Sequence, residues 1–259
     1  MTILDKIVEY KRIEVEESKM RISIESLKMM PSYSRKTYSL KEFLLDETKN
    51  GIISEFKRQS PSKGVIDNSS EVDDVVAKYE DAGASAVSVL TDFKSFGGTS
   101  IDLIKARKVL QIPLLRKDFI IDKYQIHESK ALGADVILLI ASILTKEEIE
   151  EFSSLAKSLG LSVLFEIHNE EELEKLSDNI DVVGVNNRNL ATFEVSIQNS
   201  ISLVDKIPSR CVKVSESGIS EVEKIRELKK YGFKGFLIGE NFMKAENPGE
   251  SAVEFIGSI

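Results

Sequence analysis

The chain has 259 residues, 42% hydrophobic and 30% charged, which suits a globular protein made of two small domains or of one large barrel or doubly wound sheet. Its 43 acidic residues outnumber the 35 basic ones for a formal net charge of -8, so the global balance lends no support to the cationic face of a nonspecific nucleic-acid binder. The single cysteine, Cys211, excludes an internal disulfide or a zinc cage; with no apolar run near the roughly 20 residues of a membrane span and no signal-peptide core, a cytoplasmic location is expected.

Residues 1–50 carry no short apolar runs. Ile3, Leu4, Ile7 and Val8 recur at helical spacing, followed by Ile13 and Val15 among many charges, which predicts a long amphipathic helix. Pro31 interrupts the next stretch, and Leu40, Phe43 and Leu44 predict a second, short helix. So short a segment seldom builds its own core, and it reads as a helical extension of the barrel at 51–259, the whole chain forming one domain.

After Gly51 the pattern changes. Short apolar runs occupy 52–56, 86–90, 112–115, 136–140, 162–165, 182–185, 212–214 and 236–238. Most are followed by a polar turn and a helical segment such as EEIEEFSSLAKSLG or EVEKIRELKKYG. The runs are nearly continuous Val, Ile and Leu, as expected when helices cover both faces of a parallel sheet. Gly83, Gly133 and Gly232 close helices directly before the next strand. Eight runs spaced by roughly 20 to 35 residues predict a (β/α)8 TIM barrel. A doubly wound sheet has the same strand count, but no G-x-G-x-x-G follows the first run, which argues against its dinucleotide-binding version.

In a parallel barrel the loops after the strands converge on one mouth. The first run ends SEFKRQSPSKG; Glu55 and Lys57, two apart, point to the same side of a strand. The third run ends with Lys117, the fifth with Glu166, the sixth with Asn186 and Arg188, and the seventh with Glu216 and Ser217. Any one of these, taken alone, is ordinarily a solvated loop residue or half of a weak surface ion pair. Together, at the same end of different strands, they would share one cavity, which is how proteins tune acids and bases. Gly218 in the seventh loop and Gly239-Glu240 after the eighth strand suit a phosphate held by backbone N–H groups, with Ser60 and Lys63 adding a hydroxyl and a cation. His127 and His168 lack metal-ligand spacing, and there is neither a nucleophile elbow nor a Walker sequence. Cys211 reads as buried packing. Phe93, Phe96 and Phe119 sit near the expected mouth, where packing is their default role and contact with an aromatic substrate a second one.

The motifs EFKRQSPSKG, LTDFKSFGG, LLRKDFIIDKYQIHESKALGAD, FEIHNEEEL, GVNNRNLATFEV, SESGI and FLIGENFM, in that order over nearly the whole chain, resemble the indole-3-glycerol phosphate synthase family. The resemblance implies a phosphate-binding barrel that needs no metal or organic cofactor. It implies ring closure of 1-(2-carboxyphenylamino)-1-deoxyribulose 5-phosphate, with loss of CO₂ and water. Carried onto this sequence, Lys117 matches the general acid and Glu166 the base, with Lys57 on the substrate carboxylate and available as the second acid. Glu55, Asn186 and Glu216 complete the expected catalytic set by positioning a lysine or holding hydroxyls. Arg188 suits the carboxylate, with Ser217 and Phe119 as further substrate contacts. Ser60, Gly218, Gly239 and Glu240 match the phosphate contacts, Glu240 through its backbone N–H with its carboxylate turned away. The expected partner is a small phosphorylated molecule, with no nucleic acid and no membrane, for a chain compatible with a monomer. Three rival barrels share the phosphate pocket. A phosphoribosylanthranilate isomerase would need Cys or Asp where this chain has Lys and Glu. A tryptophan synthase α subunit is the second, and a noncatalytic phosphate-binding barrel, which would have no use for Lys117 or Glu166, is the third.

Overall fold

The computed structural model describes residues 3–189, 192 and 194–259; Leu190, Ala191 and Phe193, within the motif GVNNRNLATFEV, lie outside the described residues. Eight strands, β1 (Ile52–Phe56), β2 (Ala86–Leu90), β3 (Leu114–Lys117), β4 (Val136–Ile140), β5 (Ser162–Ile167), β6 (Val182–Asn186), β7 (Val212–Glu216) and β8 (Gly235–Ile238), pair in parallel. Each neighbours the next in sequence, and β8 closes on β1, which makes a (β/α)8 TIM barrel. A two-stranded hairpin, Gln59–Ser60 with Gly64–Val65, rises from the loop after β1.

Side chains alternate along each strand, so one set fills the barrel and the other meets the surrounding helices. Ile53, Leu115, Val136, Leu138, Leu164, Val214 and Leu237 belong to the inner cluster. Their neighbours Ile52, Leu114, Ile137, Val163, Phe165, Phe236 and Ile238 pack outward with the helices. Both sets are buried, which is why the runs look continuous in sequence.

The N-terminal segment spans the barrel from mouth to base. Helix α1 (Ile3–Arg21) buries Ile7, Lys11 and Val15, one residue per turn, while Ile13, expected on the packed face, is 58% exposed. Helix α2 (Ile24–Lys28) and a 3-10 turn at Pro31–Ser34 follow, neither of them evident from the apolar spacing. Arg35 then pairs with Asp135 at 2.5 Å, just before β4, and the Tyr38 N–H donates to the same carboxylate at 2.9 Å. Helix α3 (Leu40–Leu45) puts Leu40 and Leu44 into the inner cluster, closing the end of the barrel away from the mouth.

Strand β3 begins two residues later than the 112–115 expected. Pro113 has no N–H to give a ladder, and only its carbonyl is used, accepting from Val87 N–H at 2.9 Å. The strand therefore runs on to Lys117, and β5, β6 and β7 likewise extend to include Glu166, Asn186 and Glu216. Gly83, Gly133 and Gly232 all have φ above +90° after their helices. Cys211 is buried, as packing.

Candidate active site

The inward phase of the alternation decides which polar side chains meet. Counting by twos from the barrel-filling residues, Ile53 leads to Glu55 and Lys57, Leu115 to Lys117 and Phe119, Leu164 to Glu166 and His168. Val182 leads to Asn186 and Arg188, and Val214 to Glu216. All nine of these side chains line one cavity of about 1040 Å³, counting the part open to solvent, at the carboxyl ends of the strands. Leu90, Leu138, Ile140, Leu237, Phe96 and Phe119 give it apolar walls, and Ile3, Leu4 and Ile7 of α1 cover one side.

Lys117 Nζ sits 2.6 Å from Glu216 Oε2 and 3.5 Å from Glu166 Oε2. Lys57 Nζ pairs with Glu55 Oε1 at 3.1 Å. Asn186 Nδ2 donates to Glu166 Oε1 at 3.2 Å, and Asn186 Oδ1 accepts from the Arg188 N–H at 2.9 Å. Burial alone would drive the proton off Lys117; Glu216, Glu166 and Glu55 outweigh it and hold the ammonium above the ordinary lysine range. Burial pushes Glu166 up, yet Lys117, His168 and the Asn186 amide bring its carboxyl below the usual range. Glu216 moves the other way. Burial first, then the anions Glu166 and Glu55, push it up to about 7 against the pull of Lys117. Glu216 Oε1 is buried without a hydrogen-bond partner, so it lacks the compensation that Asn186 gives Glu166. The site therefore holds a charged acid beside a charged base, the pairing that proton transfer in both directions requires.

The rim opposite β3 is built from tight turns. Ser217 takes φ 70°, the one described residue other than glycine with a positive φ, and Gly218 follows at φ 74°. Asn187, buried behind them, donates to Ser217 O at 3.1 Å and to Ser215 Oγ at 2.9 Å, and accepts from Ser200. That bridge holds a strained backbone which would otherwise relax. At the end of β8, a Cβ on Gly239 would fall 2.9 Å from the Glu55 Cβ, so glycine lets the two strand ends approach.

Ser60, Ser217, Phe119 and Glu240 line the cavity; Gly218 and Gly239 support its rim without lining it. Ser60 Oγ is buried without a partner. The Glu240 carboxylate turns toward the Arg188 guanidinium, 4.0 Å away, rather than out of the site. Lys63 is exposed in the turn of the hairpin and does not line the cavity, because the turn carries it outward while Ser60, Pro61 and Ser62 stay on the wall. Phe93 is 67% exposed and stands apart, whereas Phe96 and Phe119 pack together, ring centres 6.1 Å apart. His168 and the α1 residues join the site without having been expected there. The rule that pairs Glu55 with Lys57, two residues apart on one strand, marks His168 beside Glu166 in the same way.

Residues 4–255 match the family model described as Indole-3-glycerol phosphate synthase. A relative of that name from Bacteroides thetaiotaomicron is 47% identical over 99% of this chain and 98% of its own length. Another, from Lachnoclostridium phytofermentans, is 42% identical over 95% of each. Among solved structures, a mutant tryptophan synthase alpha-subunit from Pyrococcus furiosus superposes with a TM-score of 0.63 at 17% identity, covering 82% of this chain and 99% of that one. The subunit alpha from Legionella pneumophila gives 0.62 at 13% identity, covering 85% and 95%. At those identities the structural likeness concerns the fold alone.

Proposed function

The chain belongs to the indole-3-glycerol phosphate synthase family, and we propose that its cavity carries out that family's ring closure with the residues assigned here. It is a carboxy-lyase of tryptophan biosynthesis. The substrate is 1-(2-carboxyphenylamino)-1-deoxyribulose 5-phosphate, and the products are indole-3-glycerol phosphate, CO₂ and water.

As the ring carbon that bears the carboxylate attacks the ketone, negative charge develops on the ketone oxygen. Lys117 donates its proton there. The bond to the carboxylate then breaks, CO₂ leaves and the ring regains its aromatic electrons. In the second stage Glu166 removes a proton while Lys57 protonates the departing hydroxyl. Glu55 positions Lys57, and Glu216 positions Lys117. Asn186 orients Glu166 and can also hold a substrate hydroxyl. Arg188 offers the carboxylate two parallel N–H groups until decarboxylation. Phe119 and Ser217 contact the aromatic ring and the chain of hydroxyls. The phosphate is held by Ser60 and by backbone at Gly218, Gly239 and Glu240, with the Glu240 carboxylate drawn off by Arg188. The enzyme works without a metal or organic cofactor, as a cytoplasmic monomer of one barrel domain (51–259) with its helical extension (1–50), and engages neither nucleic acid nor membrane.

The observation that carries this reading is the Lys117 ammonium held between Glu216 and Glu166 in an apolar-walled cavity. The test is direct: purified protein should convert the substrate to a fluorescent indole product with no added metal and equally after chelation. Absence of product under both conditions would end the assignment.

A further inference from the structure

His168 sits in the inner phase of β5, two residues past Glu166, and lines the cavity. Its ring lies between two carboxylates. Nε2 is 3.5 Å from Glu166 Oε1, and Nδ1 is 3.4 Å from Glu172 Oε2 on the other side. Neither ring nitrogen completes a hydrogen bond, although both are buried. Glu172 is itself 9% exposed, the one buried residue of a 3-10 turn (Glu171–Lys175). Its carboxylate accepts from the backbone N–H of His168 at 2.6 Å, while its own backbone N–H donates to Asn169 Oδ1 at 3.0 Å. A buried carboxylate placed behind a buried imidazole, which in turn faces a second carboxylate, is arranged to fix the ring and its charge.

We propose that His168, backed by Glu172, is the positioning residue that holds the Glu166 carboxylate ionised and aimed into the cavity. This rests on the assignment of Glu166 as the base. The groups facing the ring are Glu166 from β5, Glu172 from the 3-10 turn and Glu216 from β7; Lys117 of β3 is the competing cation on Glu166. Burial disfavours the imidazolium, but the carboxylates of Glu172, Glu166 and Glu216 raise His168 above the ordinary histidine range. Lys117 alone spreads its charge over Glu216 and Glu166; His168 gives the base a cation that no substrate proton has to cross.

The test is the pH profile of kcat in full-length His168→Gln and Glu172→Gln, with Glu166→Gln as reference. Without the imidazolium the Glu166 carboxyl rises, so in His168→Gln the acidic limb moves to higher pH by about one unit. In Glu172→Gln the imidazolium loses a partner, so the His168 titration followed by NMR moves to lower pH. A purely structural role would scale kcat and leave the acidic limb and the His168 titration in place, and that result overturns the proposal. If Glu166→Gln keeps kcat within a few-fold, the base assignment fails and takes this proposal with it. If Glu166→Gln is inactive while the acidic limb stays in place in His168→Gln and the His168 titration stays in place in Glu172→Gln, the failure belongs to His168 alone.

Discussion

A lysine enclosed by apolar side chains sheds its proton unless anions hold it, and Lys117 has three carboxylates doing so. The opposing behaviour of its two nearest partners gives the site its direction. Glu166, hydrogen-bonded by Asn186, stays ionised, the state its proposed role as base requires, whereas Glu216 has a buried oxygen with no partner and is the carboxyl pushed up to about 7. Glu216 owes its place to Gly184 on the neighbouring strand, because a Cβ there would overlap Glu216 Oε1 and come 3.1 Å from Leu164 Cδ1. Gly184→Ala should therefore displace Glu216 and, through it, Lys117. The expected outcome is a loss of kcat of about a hundredfold in a chain that still unfolds cooperatively. Unimpaired turnover in Gly184→Ala would show that the Glu216–Lys117 contact is dispensable.

At the scale of elements, α1 reaches the site through charge as well as through its apolar cover. Lys11 Nζ lies 2.7 Å from Glu14, 2.8 Å from Asp92 and 3.0 Å from Asp118, the residue next to Lys117. Asp118 is shared further with Arg116 at 3.2 Å and Thr91 at 2.5 Å, and Tyr10 donates to Asp92. Lys11→Met removes the cation shared by two buried carboxylates, so it should cost about 3 kcal/mol in denaturant unfolding and loosen the strand end that carries Lys117. A cost under about 1 kcal/mol would mean that the network contributes little.

The same helix shows where sequence reading stops. Its apolar residues announce a helix, but an exposed Ile13 and a buried Lys11 are settled by Asp92 and Asp118, which lie some eighty and a hundred residues away. Strand positions, by contrast, are legible because both faces of each strand are buried and the runs stand out. Their polar ends are legible for the same reason, since Glu55, Lys117, Glu166 and Glu216 interrupt otherwise apolar runs. The start of β3 is not legible, because Ile112 is apolar enough to extend the run while Pro113 cannot pair as a donor. Lys63 looks like part of the phosphate site only because sequence proximity to Ser60 does not reveal a hairpin that carries it outward. His168 escapes notice when histidine is weighed only as a metal ligand.

For the whole molecule, closure of the barrel turns residues spread from Glu55 to Glu216 into one wall-to-wall set, with Leu40 and Leu44 filling the opposite end. No helix among the described residues is long and apolar enough to cross a membrane. Function then depends on whether side chains from β1, β3, β5 and β7 act on one substrate. Steady-state kinetics of Lys117→Ala on the carboxyphenylamino deoxyribulose phosphate tests that most directly. Loss of the proton donor should lower kcat by about 10²–10⁴-fold while KM changes far less. Turnover within a few-fold of the unmodified enzyme would place the proton donor elsewhere and contradict the account.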